Sequence, residues 1–524
     1  MLDDKVAVLD FGSQYTQLIV RRVREVGVYC EVFGHDVSED VLRGFGPKSI
    51  ILTGSPRSTM EESPLKPGEF IWSFGVPILG VCYGMQVMAM CLGGRTGKSE
   101  KSEFGYSELS LDVETGQADG GLFKDFPVTS RVWMSHGDEV SQLPAGFSKL
   151  AHSQNCCYGA MANVERQLFA VQHHPEVTET ATGGVLFENF LLGICGLRAT
   201  WTPARISQQM IDKAAEELKE GGDVLLGLSG GVDSSVVAVI LHRAIGPRLK
   251  CVMIDHGLMR SDESKNVVEA FRAASEAGSG MLPEVHVVDA REQFFSALKG
   301  VTDPEAKRRI IGREFVEAFD REVVTKYPNV KYLAQGTIYP DVIESAKVGN
   351  AALIKTHHNV GGLPEKMKLK LVEPIRMLFK DEVRRVGEIL GLPHDFVWRH
   401  PFPGPGLAVR ILGEVTPERA DKLRKADDIF IKELFRAGCY HNISQALAAL
   451  IPSKAVGVKG DERVYEEMIS LRAIHTTDFM TATVVDLPHQ LLVNVVRRIT
   501  NEVPGISRVL YDYTDKPPAT IEYE

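Results

Sequence analysis

Three residues of this sequence have the types and spacing to act together as a nucleophilic centre. Cys82 ends the apolar run PILGVC and is followed by YGMQ, so a strand passes into a helix through a turn at the cysteine. Such a turn lifts the sulfur above the sheet, beside amides at the helix start that can bind an oxyanion. Gly80 and Gly84 relieve the crowding that the turn creates. Far along the chain, VQHHPEV places His174 two residues before Glu176. Extended backbone sends positions i and i+2 to one side, so the carboxylate can orient the imidazole that takes the thiol proton. His173 lacks that period-two relation and reads as a packing neighbour. A cysteine in an apolar stretch is by itself more often core; the His-x-Glu pair is what favours chemistry.

A second candidate is SGGVDSS, residues 229–235, between the apolar run VLLGL and a helical run. It lacks the lysine of GxxxxGK[ST], yet its amides at a turn opening a helix, Ser229, Gly230, Gly231 and Val232, form an anion site, with hydroxyl donors from Ser234 and Ser235. Asp233 would repel phosphate unless a divalent cation lies between them, so magnesium on Asp233, bridging to pyrophosphate oxygens, resolves the conflict. Asp255 ends the run CVMID at the carboxyl edge of the same sheet, where ligands bind in open α/β folds, and is a candidate adenosine or magnesium contact.

The elements needed to position these groups are visible as alternating runs. KVAVLDFG, a helix near 14–26, YCEVFG, SIILTGS, PILGVC and GMQVMAMCL predict a mostly parallel sheet covered by helices in residues 1–196. Periodicity stops at LRATWTPAR, so 197–205 is expected to be a linker. Residues 206–400 repeat the alternation, through VLLGL, CVMIDHG, EVHVVDA, a long helix from Pro304 to about Lys326, and YLAQGT. Beyond the proline and glycine cluster near PFPGPGLAVR, residues 401–524 predict a smaller α+β domain, with ADKLRKADDIFIKELFRA helical and TTDFMTATVV and SRVLYDY as strands. The fold class is therefore α/β, with two doubly wound domains and a C-terminal α+β domain.

Composition excludes several classes. With 524 residues, 44% hydrophobic and 24% charged, the chain is globular and long enough for three or four domains. Its net charge of -10, from 59 basic and 69 acidic residues, disfavours a nucleic-acid surface. Two basic runs, Lys307–Arg308–Arg309–Arg313 and Lys366–Lys368–Lys370–Arg376, could serve anionic ligands but on their own read as solvated helix faces and loops. Neither a signal peptide nor a membrane-spanning run is evident, and eight scattered cysteines without a CxxC pair suit free thiols in a reducing compartment, so a cytoplasmic location is expected.

GVCYGMQ with HPE resembles the class I glutamine amidotransferases. The resemblance implies glutaminase chemistry at Cys82, His174 and Glu176, with an oxyanion hole at Gly54 of LTGSP and at Tyr83; Ser55 stands where that family often has a second glycine. FGYSEL and MSHGDEV are similar to stretches flanking that family's glutamine site. SGGVDSS resembles the ATP pyrophosphatases, which release pyrophosphate and transfer AMP. QGTIYPDVIES, IKTHHNVGGLP, HPFPGPGLAVR, GDERVYEEMISLRA and KPPATIEYE resemble, over essentially the whole length, the glutamine-hydrolysing GMP synthases. That implies adenylation of xanthosine 5'-monophosphate (XMP) and amination to GMP, with XMP bound at Arg308, Gln445, Lys516, Ile521 and Glu522. It implies also a lid carrying His357 and His358, and a homodimer formed through the third domain. Where that family more usually has phenylalanine and IEWE, this chain has His173 and IEYE. The competing readings are another adenylating enzyme, such as an NAD synthetase or a tRNA-thiolating enzyme, and an inactive nucleotide-binding regulator.

Overall fold

The structure is a computed structural model that describes residues 4–112, 120–274, 285–342, 369–476, 479 and 481–524; the expected lid histidines 357 and 358 lie outside them. Two compact units divide the chain between Arg205 and Ile206.

The first unit is built on a nine-stranded sheet of order β2-β1-β3-β4-β9-β8-β7-β5-β6. Its strands are β1 (Lys5–Asp10), β2 (Tyr29–Gly34), β3 (Ser49–Leu52), β4 (Ile78–Val81), β5 (Arg95–Leu111), β6 (Thr129–Gln142), β7 (Ser148–His152), β8 (Ala160–Asn163) and β9 (Leu168–Val171). From β2 to β9 the pairings are parallel, as the alternating runs predict. Beyond β9 the sheet continues antiparallel through two long strands, β5 and β6, whose polar, alternating residues carry little strand signal. The central strands β3 and β4 are buried throughout, the mark of a sheet covered on both faces.

The expected linker is not free chain. Trp201 is buried with its ring 4.7 Å from that of Tyr29, and its amide donates to the Gly27 carbonyl. A large apolar ring leaves water even where the flanking residues break periodicity, and the next helix starts directly after it at Pro203.

The second unit contains a five-stranded, all-parallel sheet of order β12-β11-β10-β13-β14. The strands are β10 (Asp223–Gly227), β11 (Leu249–Asp255), β12 (Val285–Asp289), β13 (Val330–Ala334) and β14 (Lys370–Val372). A four-stranded sheet follows, with β15 (Gln445–Lys459) antiparallel to β16 (Glu462–His475), which also pairs β17 (Thr483–Val484) and, in parallel, β18 (Ile506–Tyr511). Of the expected strand TTDFMTATVV, the described residues pair at β17 and through one antiparallel bridge from Ala482 to Lys516. One hydrophobic core runs through both sheets, from Leu225 and Val252 to Leu450, Ile469 and Ile506.

Candidate active sites

At Cys82 the backbone takes φ 52 and ψ -106, a left-sided conformation that a side-chain-bearing residue adopts only where its surroundings hold it. The helix Tyr83–Cys91 starts at the next residue. Gly84 permits this turn: a Cβ there would lie 2.4 Å from the Leu52 carbonyl oxygen, and one on Gly80 would lie 2.6 Å from the Gly84 oxygen. Strand, elbow and helix are thus pressed together to a distance only glycine allows.

The sulfur is almost wholly buried and lies 3.8 Å from both the Ser135 carbonyl oxygen and Gln172 Nε2. His174 Nδ1 donates to Glu176 Oε1 at 2.7 Å, which leaves Nε2 as the nitrogen able to exchange a proton. Burial opposes a charged imidazole here. The negative charges of Cys82 and Glu176 and hydrogen bonding to both outweigh that penalty and hold the His174 pKa well above its usual 6.5. Backbone and neighbours fix the ring: the His174 amide donates to Trp133, Thr180 Oγ1 donates to the His174 carbonyl, and the Tyr15 ring stands edge-on at 4.9 Å. A Cβ on Gly54 would lie 3.3 Å from His174 Cε1 and 3.8 Å from Cys82 Cβ, so its backbone closes the same site. Ser55 turns its hydroxyl away, donating to the Phe11 carbonyl at 2.7 Å.

His173 is the packing neighbour expected, though a costly one. It is fully buried, neither ring nitrogen has a hydrogen-bond partner, and burial followed by the nearby His174 charge pushes its pKa down to about 3. Behind the cysteine, Glu103 is a residue the sequence reading passed over. This buried carboxylate accepts from Ser107 and Ser153 and faces His136 Nε2 at 3.3 Å, whose Nδ1 lies 3.1 Å from the Asp138 carbonyl. Gln86 reaches the same carbonyl at 2.7 Å, tying the helix behind Cys82 to β6.

In the second unit, SGGVDSS forms the expected turn. Gly230 has φ +78 and Gly231 caps the helix Val232–Ile245. Ser234 and Ser235 hydroxyls donate to the Gly231 carbonyl, and Ser229 Oγ accepts from the Gly231 amide. Asp233 accepts from Lys380 Nζ at 2.5 Å through Oδ2, while its Oδ1 is buried without a partner. Asp233 and Lys380 are 147 residues apart in the chain. Asp255 is gripped by Arg291 at 2.5 Å and accepts from the Gly257 amide, which together overcome burial and lower its pKa. It lines a cavity of about 510 Å³ with Arg260, Glu263, Lys265, Arg291 and Arg424.

Of the residues that the sequence associates with XMP, Gln445 and Glu522 touch: Gln445 Nε2 donates to Glu522 Oε1 at 2.7 Å. Arg410, missed by sequence reasoning, grips both oxygens of Glu522 at 2.9 Å from a fully buried position. Arg308 donates to the Glu524 carbonyl at 2.6 Å, Ile521 is half-buried next to Glu522, and Lys516 is engaged by the Phe479 carbonyl at 2.7 Å. The Lys307 run is not simply a solvated face. Lys307 is buried and ion-paired to Glu524 because it shares the inward stripe of its helix with Ile311 and Glu314, while Arg308, Arg309 and Arg313 are exposed.

Comparison with known proteins decides the family. GMP synthase [glutamine-hydrolyzing] of Vibrio cholerae serotype O1 is 53% identical over 527 positions, covering 100% of this chain and 99% of that one. The chain belongs to the glutamine-hydrolysing GMP synthases. Relatives of the same name from Edwardsiella ictaluri and Aliivibrio salmonicida are also 53% identical, each over 99% of this chain and 99% and 98% of their own. Three family models match successive parts of this GMP synthase family member: glutamine amidotransferase class-I at residues 7–194, NAD synthase at 205–286 and GMP synthase C terminal domain at 432–523.

Proposed function

We propose that the chain aminates XMP to GMP with ATP and the side-chain nitrogen of glutamine, releasing AMP, pyrophosphate and glutamate. The observation that carries this reading is the strained Cys82 elbow facing the His174–Glu176 pair in a chain that also holds the SGGVDSS turn and matches the GMP synthase C-terminal model. The NAD synthase match is confined to 205–286, around the phosphate turn, so the acceptor is read from the C-terminal match.

In the first unit the Cys82 thiolate attacks the glutamine amide carbon, and the Gly54 and Tyr83 amides receive the developing oxyanion. His174 then gives its Nε2 proton to the leaving nitrogen, the C–N bond breaks, and ammonia leaves a γ-glutamyl thioester. A water, deprotonated by His174, hydrolyses the thioester to glutamate. Glu176 keeps the ring in the tautomer and charge state that both halves need.

In the second unit the amides of 229–232 and the hydroxyls of Ser234 and Ser235 take the departing phosphates. The XMP 2-oxo oxygen bonds to the α-phosphorus as pyrophosphate leaves, and ammonia displaces AMP from the purine carbon. Magnesium fits Asp233, whose Oδ1 is a buried hard-oxygen donor without a partner. When bound there it supplies charge neutralisation between that carboxylate and the phosphates. Asp255 lines the neighbouring cavity as the candidate adenosine contact, and Arg308, Gln445, Lys516, Ile521 and Glu522 are assigned to XMP. We assign residues 1–196, 206–400 and 401–524 to glutaminase, adenylating and XMP-binding parts joined through 197–205.

A cytoplasmic location accords with eight free cysteines, and among the described residues no helix is long and apolar enough to cross a membrane. A homodimer accords with Val456, Val458 and Tyr465, exposed together on β15 and β16. The negative net charge supports partners that are small molecules rather than nucleic acid. The test is incubation with XMP, ATP, magnesium and glutamine labelled with ¹⁵N in its side chain. Label in GMP with equimolar AMP is expected, and Cys82→Ala should lose this while still using ammonium. Label that stays in free ammonia while XMP is unconsumed would refute the assignment.

A further inference from the structure

Among residues given no part in the proposed reaction, the described part of the second unit brings two histidines and a carboxylate together. His394 and Asp395 open the short helix His394–Val397, and His441 sits in the turn Tyr440–Asn442. One ligand atom from each lies within 4.8 Å of the other two. We propose that His394, Asp395 and His441 form a site for a divalent transition metal of the zinc class.

Three features argue for a site rather than a chance meeting of surface charges. First, His394 Nδ1 donates to Glu388 Oε1 at 2.6 Å, and the same oxygen accepts from Trp398 Nε1 at 2.8 Å. A carboxylate that holds one ring nitrogen, and is itself held, leaves Nε2 with its lone pair free for a metal; this is the outer support that metal-binding histidines commonly have. Second, His441 is flanked edge-on by Phe435 at 5.6 Å and Tyr440 at 5.3 Å, which restricts its ring, and its Nε2 already lies 3.3 Å from Asp395 Oδ1. Third, the rings of His394 and His441 approach to 5.4 Å between centroids, although one belongs to the segment after β14 and the other to the segment before β15.

The donor set selects the metal. Two imidazoles and one carboxylate suit zinc, cobalt, nickel or copper, whereas magnesium prefers an all-oxygen octahedral shell. Zinc-to-ligand bonds of about 2.0–2.2 Å require neighbouring donors to stand roughly 3.3–3.6 Å apart in a tetrahedral shell. The side chains are exposed, His394 by 62% and His441 by 43%, so small rotations can close the remaining gap and water can complete the shell. All three residues are exposed and lie on two separate segments, so the effect of a bound ion is to staple the His394 helix to the Tyr440 turn. This inference is independent of the reaction proposed above.

The test is a titration of the untagged full chain with Co²⁺ in excess magnesium, read by visible absorption. One equivalent of cobalt is expected to bind and to be displaced by one equivalent of Zn²⁺. His394→Ala and His441→Ala should abolish that signal, and Glu388→Gln should weaken binding by about 10-fold or more. Ammonium-driven amination should persist in all three, which shows that they fold. Zn²⁺ should raise the unfolding midpoint of the parent and not of His441→Ala. No uptake by the parent, uptake surviving in both histidine variants, or an equal midpoint shift in His441→Ala would overturn the proposal.

Discussion

Replacing Glu176 with glutamine keeps the shape of the His174 partner and removes its charge. The carboxylate is 1% exposed and accepts from His174 Nδ1 at 2.7 Å, so the bond is charge-assisted and shielded from water. Such a bond contributes about 1.5–3 kcal/mol. At about 1.4 kcal/mol per decade, glutaminase kcat/KM should fall by roughly 10- to 150-fold. The same loss should lower the His174 pKa, moving the alkaline limb of the glutaminase profile to lower pH. The sign is set by the raised pKa in the folded protein: the protonated imidazole adds stability in full below about 6.5, and that contribution is lost as pH rises through the folded value. The glutamine amide must also bury an extra N–H where Oε2 has no partner, so stability is to be measured separately. The assay is steady-state glutamate release across pH, alongside amination driven by ammonium. Unchanged kcat/KM and an unmoved alkaline limb in a folded Glu176→Gln protein would refute the role given to this pair.

Gly84→Ala should cost about 1–3 kcal/mol, seen in a denaturant midpoint, and should abolish glutaminase activity, because its Cβ meets the Leu52 oxygen at 2.4 Å and the elbow must open. His173→Phe should stabilise the protein increasingly in acid. The unfolded chain takes up a proton that the buried ring refuses until about pH 3, so stability falls by about 1.4 kcal/mol per pH unit below roughly 6.5, and acid unfolding of parent and variant should diverge there. Asp233→Ala should lose amination with either nitrogen source while Cys82 still forms thioester from glutamine, measurable by trapping the acyl-enzyme. Continued GMP formation from ammonium by that variant would remove Asp233 from the phosphate site.

Local chemistry was legible wherever a short stretch contains its own reason. The Cys82 elbow needs glycines at fixed offsets, His174 and Glu176 are two residues apart on extended backbone, and the 229–235 turn joins a buried strand to a helix; each can be read within about ten residues of chain. The inner parallel strands β1, β3, β4, β10 and β11 are apolar because both faces are covered, so they too announce themselves. What tertiary structure alone decided are the pairings that close over long separations. Lys380 on Asp233, Arg410 on Glu522, Lys307 on Glu524 and Glu103 on His136 join residues 147, 112, 217 and 33 positions apart. No periodicity encodes such distances, because an ion pair depends on where two elements pack and leaves both residues looking like ordinary surface charges. The polar strands β5 and β6 escaped for a related reason: they pair with each other and β5 joins the sheet at β7 through Ser110 and Leu111, so backbone pairing rather than an apolar run places them there.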